Sequence, residues 1–262
     1  MVGLAGRKNC GKDSCHTSRG FRRIKRGIDM CTRFVYNGKD TITGFNFDID
    51  LSVWDHKIIK EKDRFYIGIK MPDNRYHSFH GVHRNGNTGT LLYVHGNPRG
   101  RYVEGNSSYT IADLTENYIR GILSFDEVLH ILQEQKIVYS PDTTMQAMLS
   151  DRYGRVLLIE PGIGYRLEQK QYSLMTNYSV LKPESTRPYI VPGDDRYERA
   201  QAQLEKQKET FSVSDAFHIL KSVRQEGLWA TRVTFVYSVM EKKIYYVLNN
   251  DFEEMSEYSF DS

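Results

Sequence analysis

The residue with the most chemical promise is Cys31, which directly follows Met30. If translation starts at Met30, or if residues 1–30 are cut away, Cys31 becomes terminal. A terminal cysteine carries a thiol nucleophile together with an α-amine whose ordinary pKa is about 7.7 to 8.0. That amine can take the thiol proton and later hand it to a leaving amine, so one residue supplies nucleophile and base. The plainer alternative is a buried cysteine opening a strand. Other groups offer less. Cys10, Cys15 and His16 are zinc-ligand types, yet no second pair at finger spacing follows them. His77, His80, His83 and His95 fall on expected strands and turns rather than at the helical spacing of a zinc site. The chain has no P-loop, no dinucleotide-binding glycine fingerprint and no serine elbow. Three cysteines, with none after Cys31, do not read as a disulfide framework. Neither a metal nor a cofactor is expected.

The elements that must position Cys31 begin with strands. Phe34-Val35-Tyr36, Asn37-Gly38 and Thr41-Ile42-Thr43 predict a hairpin, because Asn-Gly supplies the positive φ angles of a two-residue turn. In that register Tyr36 faces Lys39 and Cys31 faces Gly44. Further strands are expected at 64–69, 75–80, 88–94, 144–149, 155–160 and 171–176, with a late hairpin at 231–239 and 243–248. Ser124-Phe125-Asp126-Glu127 is a capping-box sequence, and Phe125, Val128, Leu129 and Leu132 follow at helical spacing. A second helix starts at Asp194 or Asp195 and runs to about Lys208, and a third covers 214–223. Strands, then helices, then strands predict an α+β layered fold with largely antiparallel sheets, as one domain over 31–262.

A set of segments then adds a resemblance. Cys31-Thr32-Arg33, Gly44-Phe45-Asn46-Phe47-Asp48, Gly81-Val82-His83-Arg84-Asn85-Gly86 with Leu91-Leu92-Tyr93, Met175-Thr176-Asn177 and Asp195-Arg196-Tyr197-Glu198-Arg199-Ala200 occur in this order. In order and content they resemble the choloylglycine hydrolases and penicillin V acylases, N-terminal-nucleophile hydrolases of linear amides. The resemblance covers 31–262 and implies a four-layer αββα sandwich. It implies that Cys31 is the nucleophile and that Asp48 orients its amine. Tyr93 through its backbone N–H and Asn177 through its side-chain amide would form the oxyanion hole, each donor typically worth about 2.7 to 4 kcal/mol in the transition state. Arg196 would stand near the thiolate. Tyr93 stands where penicillin V acylase-like members often carry tyrosine, which leans the substrate toward phenoxyacetyl or other N-acyl amides. Phe34, Phe45, Tyr66 and Tyr93 are candidates for an aromatic acyl pocket, although aromatic residues on strands are more often core. Two departures stand out. Phe45 occupies a position where the family usually has arginine, and Arg33, on the same strand face as Cys31, is the expected replacement. Only 18 residues separate Asn177 from Arg196, where the family commonly has an insertion that helps build tetramers. A homo-oligomer stays open and a tetramer is disfavoured.

Composition sets the remaining bounds. Residues 1–30 hold eight basic residues against two acidic ones, a charge of +6, so 31–262 carries −3 of the total +3. The body therefore gives no electrostatic reason for a polyanionic partner. The leader lacks the apolar stretch of a secretory signal, and no apolar run approaches the roughly 20 residues of a membrane span. A cytoplasmic enzyme acting on a small-molecule amide is expected, without nucleic acid or membrane. The leader reads as a pro-segment or as an untranslated extension, because Lys25-Arg26-Gly27 is encodable by a purine-rich run that resembles a ribosome-binding site before Met30. Two alternatives remain: an acyltransferase of the same superfamily, and a binding module whose basic leader contacts nucleic acid.

Overall fold

Val35, Phe45 and Phe47 leave their strands on one side while Phe34, Tyr36 and Ile42 leave on the other, so one sheet separates two apolar cores. The computed structural model describes residues 31–104, 108–141 and 143–260. The basic segment 1–30, with Cys10, Cys15 and His16, lies outside the described residues. In chain order the strands are β1 (Thr32–Asn37), β2 (Thr41–Asp48), β3 (His56–Lys60), β4 (Arg64–Lys70), β5 (Tyr76–His83), β6 (Thr88–Tyr93), β7 (Met145–Ser150), β8 (Val156–Glu160), β9 (Gly164–Glu168), β10 (Tyr172–Met175), β11 (Thr231–Ser238), β12 (Lys243–Leu248) and β13 (Ser256–Ser259). The helices are α1 (Ile111–Ile119), α2 (Phe125–Glu134), α3 (Pro183–Thr186), α4 (Arg196–Leu204) and α5 (Val213–Ser222).

These strands form two antiparallel sheets, ordered β10-β1-β2-β11-β12-β13 and β3-β4-β5-β6-β7-β8-β9. Between them Val35, Phe45 and Phe235 meet Phe65, Ile67, Leu92 and Met148. Outside the first sheet, α4 and α5 lay Ala200, Leu204, Phe217 and Leu220 on Phe34, Tyr36 and Val236. Outside the second, α1 and α2 bury Ile111, Leu114, Tyr118, Phe125 and Val128 on Leu91, Ala147 and Leu157. The result is the expected α+β sandwich of four layers. Each fully buried side chain of this size contributes about 1.5 to 3 kcal/mol, and three such cores leave the sheets little freedom to slide.

Local signals were legible at the helix starts. Ser124 and Glu127 close the capping box of α2, each side chain bonding the other's backbone N–H. Ser212 and Asp215 do the same for α5, whereas α4 stops at Leu204, short of Lys208. Helix α1 was not anticipated, although Thr110 caps it through Asp113 N and its buried residues recur at helical spacing. Strands β3, β9 and β13 and the single turn α3 were also not anticipated.

The first hairpin departs from its expected turn. The loop is Gly38-Lys39-Asp40, and the register pairs Asn37 with Thr41 and Tyr36 with Ile42. Neither Asn37 nor Gly38 has a positive φ. Tertiary bonds override the Asn-Gly preference: Asn37 Nδ2 donates to Gly154 O at 2.9 Å and Lys170 O at 2.8 Å, and Asp40 accepts from Ser238 and Met240 N. Gly38 lies so close to Glu209 O that a Cβ there would sit 2.6 Å from it. This three-residue slip puts Phe45 and Phe47, rather than Gly44 and Asn46, on the face shared with Cys31.

Candidate active site

The two sheets bring distant residues to one end of the sandwich. Cys31 stands immediately before β1, and Asp48 ends β2 beside it. Strand β11, the other neighbour of β2, opens with Thr231 opposite Asp48. Strand β10, the other neighbour of β1, runs out at Met175 into Asn177. Arg196 is the first residue of α4, and Tyr93 ends β6 in the facing sheet.

Arg196 ties most of these together. It is 1% exposed, and its Nε and Nη2 each donate to one oxygen of Asp194 at 2.8 Å. Nη1 donates to Cys31 O at 3.0 Å and lies 3.8 Å from Asp48 Oδ2. Nη2 also reaches Asn177 Oδ1 at 3.3 Å. Burial opposes the guanidinium charge, but the bonds it donates to Asp194 and the fields of Asp48 and Asp194 outweigh it and raise its pKa. Burial likewise opposes ionised Asp194, and its bonds to Arg196 prevail and lower its pKa. Thr231 Oγ1 donates to Asp48 Oδ1 at 2.6 Å, while Cys31 Sγ lies 3.8 Å from Asp48 O. All five residues singled out in the sequence, Cys31, Asp48, Tyr93, Asn177 and Arg196, thus belong to one connected set.

The amide of Asn177 is held by both ends, since its Nδ2 donates to Tyr93 O at 3.1 Å. In a strand a residue's own N–H and C=O point the same way, and alternate residues face opposite neighbours. Val94 N bonds Thr144 O across toward β7, so the N–H groups of Leu91 and Tyr93 face the β5 side. Pairing of β5 with β6 ends at His80 and Thr90. Tyr93 N–H therefore points off the end of the ladder, on the side where Asn177 stands. Two donors, one backbone and one amide, flank the same space.

Cys31 also opens onto a cavity, partly open to solvent, lined by Phe47, Trp54, Ile69, Met71, Phe79 and Met145 together with Asp48, His80 and Tyr93. Of the four aromatics that were candidates for an acyl pocket, only Tyr93 lines it, and the other three are buried as the core alternative has it. Phe34 packs under the helices and Phe45 is sealed between the sheets. Tyr66 is turned to Glu61 by a hydrogen bond of 2.9 Å. Arg33 does share the face of Cys31, but its length carries it away: Nη2 donates to Ser150 Oγ at 3.0 Å and Nη1 to Phe34 O. Ser150 ends β7 opposite Met145, which pairs with Tyr93, about 17 Å along the strand at some 3.4 Å per residue. The guanidinium at the site is that of Arg196, not Arg33.

Three residues that matter here were not singled out. Asp194 was read as a helix start, although its place two residues before Arg196 in a helix's first turn allows the bidentate grip. Thr231 carried no local signal, because only the β2–β11 pairing makes it face Asp48. His80 was read as one of four scattered histidines. His77 is held between Asp73 and Glu116 at 3.0 and 2.9 Å, and among the described residues no group of three or more His, Cys, Asp or Glu side chains is placed to hold a metal ion. No helix of the described residues is long and apolar enough to cross a membrane.

No protein-family model matches the chain, and no curated protein matches its sequence. Its fold, however, is shared with solved structures of other proteins. A single-substitution variant of conjugated bile acid hydrolase from Clostridium perfringens superposes with a TM-score of 0.63 at 17% identity, over 88% of this chain and 93% of that one. Penicillin V acylase from Agrobacterium tumefaciens gives 0.61 at 17% identity, over 83% of each chain. An N-acylethanolamine-hydrolyzing acid amidase ortholog from Caenorhabditis elegans gives 0.52 at 14%, over 79% of this chain and 92% of that one.

Proposed function

We propose that the protein hydrolyses linear amides of the N-acyl type through an acyl-thioester on Cys31, with the α-amine of Cys31 as the base. The observation that carries this reading is the convergence of Cys31, Asp48, Asn177 and Tyr93 around Arg196 at the mouth of a mostly apolar cavity. The fold shared with a conjugated bile acid hydrolase and a penicillin V acylase supports the same class of reaction.

Each group has a task set by its surroundings. The Cys31 amine takes the thiol proton, and the sulfur attacks the amide carbon, whose electrons move onto the carbonyl oxygen. Tyr93 N–H and the second Nδ2 hydrogen of Asn177 receive that oxyanion. The ammonium then protonates the nitrogen as the carbon–nitrogen bond breaks, and the amine leaves. Water loses a proton to the same amine, attacks the thioester and releases the acid. Asp48 favours the protonated amine, being fixed by Thr231, while Arg196 holds Asp48, Cys31 O and Asn177 in register. The cavity lining, apolar and aromatic, suits an uncharged acyl group.

The test is intact mass spectrometry during turnover of a panel of N-acyl amides, including phenoxyacetyl and long-chain acyl members. The expected result is a chain beginning at Cys31, an adduct equal to the acyl mass on that residue, and loss of hydrolysis by about a thousandfold or more in Cys31→Ala. An active chain still bearing a peptide bond before Cys31, or an adduct elsewhere, overturns the mechanism.

A further inference from the structure

Within the apolar cavity one buried polar ring has an edge left over. His80, 6% exposed, lines the cavity. Its ring stacks on Phe45 at 5.2 Å and tilts against Phe47 at 5.0 Å, so its plane is fixed. Leu91 N–H donates to His80 Nδ1 at 3.3 Å. A nitrogen that accepts a backbone N–H cannot carry a proton, so the neutral ring bears its hydrogen on Nε2. Burial keeps the ring neutral, with a pKa lowered to about 3. Nε2 makes no hydrogen bond to the described residues.

We infer that His80 reads the acyl chain: its Nε2–H donates to an acceptor oxygen, such as an ether, carried within an otherwise apolar acyl group. The reason is the cost of leaving the donor bare. An all-carbon chain filling the cavity strips water from Nε2–H and returns nothing, whereas a chain with an oxygen at the matching position restores the bond. A permanent cation at position 45 would face the same ring, whereas Phe45 gives it an uncharged stacking partner. The acyl group recognised is thus uncharged, with one acceptor along its length. This inference rests on the proposal that the cavity receives the acyl group of the substrate.

The experiment uses heptanamide and its 3-oxa, 4-oxa and 5-oxa analogues in two formats. In the first, calorimetry measures their binding to the Cys31→Ala chain with and without His80→Phe. In the second, the wild-type chain and the His80 variants hydrolyse the corresponding N-acyl p-nitroanilides. At least one oxa analogue is expected to be favoured over the all-carbon chain by roughly three- to tenfold in both formats. His80→Phe is expected to bring that ratio to about one, while His80→Gln, which keeps an N–H, retains part of it. Ser140 Oγ, a buried cavity hydroxyl without a hydrogen bond to the described residues, provides the control: Ser140→Ala keeps the ratio. Absence of any preference in the binding format, persistence of it in His80→Phe, or its loss in Ser140→Ala overturns the role of His80. A His80-dependent preference in binding without turnover by the wild-type chain leaves His80 standing and overturns the amidase reading instead. Should His80→Phe fail to fold, as judged by circular dichroism, His80→Gln alone decides, by a ratio lowered or unmoved.

Discussion

Replacing Asp194 by asparagine tests the site's architecture without any knowledge of the substrate. Asp194 and Arg196 are 4% and 1% exposed at their side chains, and the carboxylate grips the guanidinium through two bonds of 2.8 Å. Removing the charge of one partner in a buried pair typically costs about 3 to 5 kcal/mol, because the other charge stays buried. Arg196 keeps Asp48 at 3.8 Å, an attraction of about 4 kcal/mol at an effective dielectric constant of 20, and asparagine preserves one acceptor. Both facts place the loss at the lower end, about 3 kcal/mol. For a domain of this size, at about 2 to 4 °C per kcal/mol, the melting temperature falls by roughly 6 to 12 °C. Asp195→Asn supplies the contrast. Its partner Arg199 is also 2.8 Å away, but the side chains are 60% and 46% exposed, and such pairs contribute about 0 to 1 kcal/mol. Scanning calorimetry of the three proteins at pH 7.5 reads the difference. If Asp194→Asn melts within about 2 °C of the wild type, or no lower than Asp195→Asn, Arg196 is not held as a buried ion and its ordering role fails.

Other substitutions probe the neighbouring parts. Asn177→Ala removes one of the two donors flanking the space beside Tyr93 and is expected to lower kcat by about 10² to 10³ with little change in KM; an equal rise in KM with kcat intact would point to ground-state binding instead. Glu160 is 1% exposed and accepts from Ser179 Oγ at 2.5 Å, and burial raises its pKa to about 7 from 4.5. A raised acid contributes stability that is fully present below pH 4.5 and is lost as pH rises through 7, a difference of about 3 kcal/mol. Glutamine does not titrate, so the stability of Glu160→Gln relative to the wild type is expected to climb by that amount between pH 4.5 and 8 in urea unfolding; a flat difference refutes the assignment.

What could be read from the sequence and what could not divides along physical lines. Helix starts at Ser124 and Ser212 are local exchanges between residues three apart, and the strand runs are visible in alternation, so the layered fold was within reach. Cys31, Asp48, Tyr93, Asn177 and Arg196 came from segment order and resemblance, and the fold places them in one set. The turn at Asn37 went otherwise because Gly154, Lys170 and Glu209, all more than a hundred residues away, outweigh a local preference. Arg33 shows a similar limit: two-residue periodicity correctly assigns its face, but only the facing sheet decides where a long side chain ends. Thr231 and His80 acquire their roles solely through neighbours supplied by β2 and β6.

The order β10-β1-β2-β11 has a temporal consequence. The strand that follows Cys31 pairs with β2 at once, but its other neighbour, β10, exists only after residue 175 has been made, and the threonine that steadies Asp48 is residue 231. During synthesis the thiol therefore waits on an open half-sheet while most of the chain emerges. The arrangement around Cys31 therefore depends on residues made long after it, and a chain cut short before residue 231 lacks the threonine that steadies Asp48.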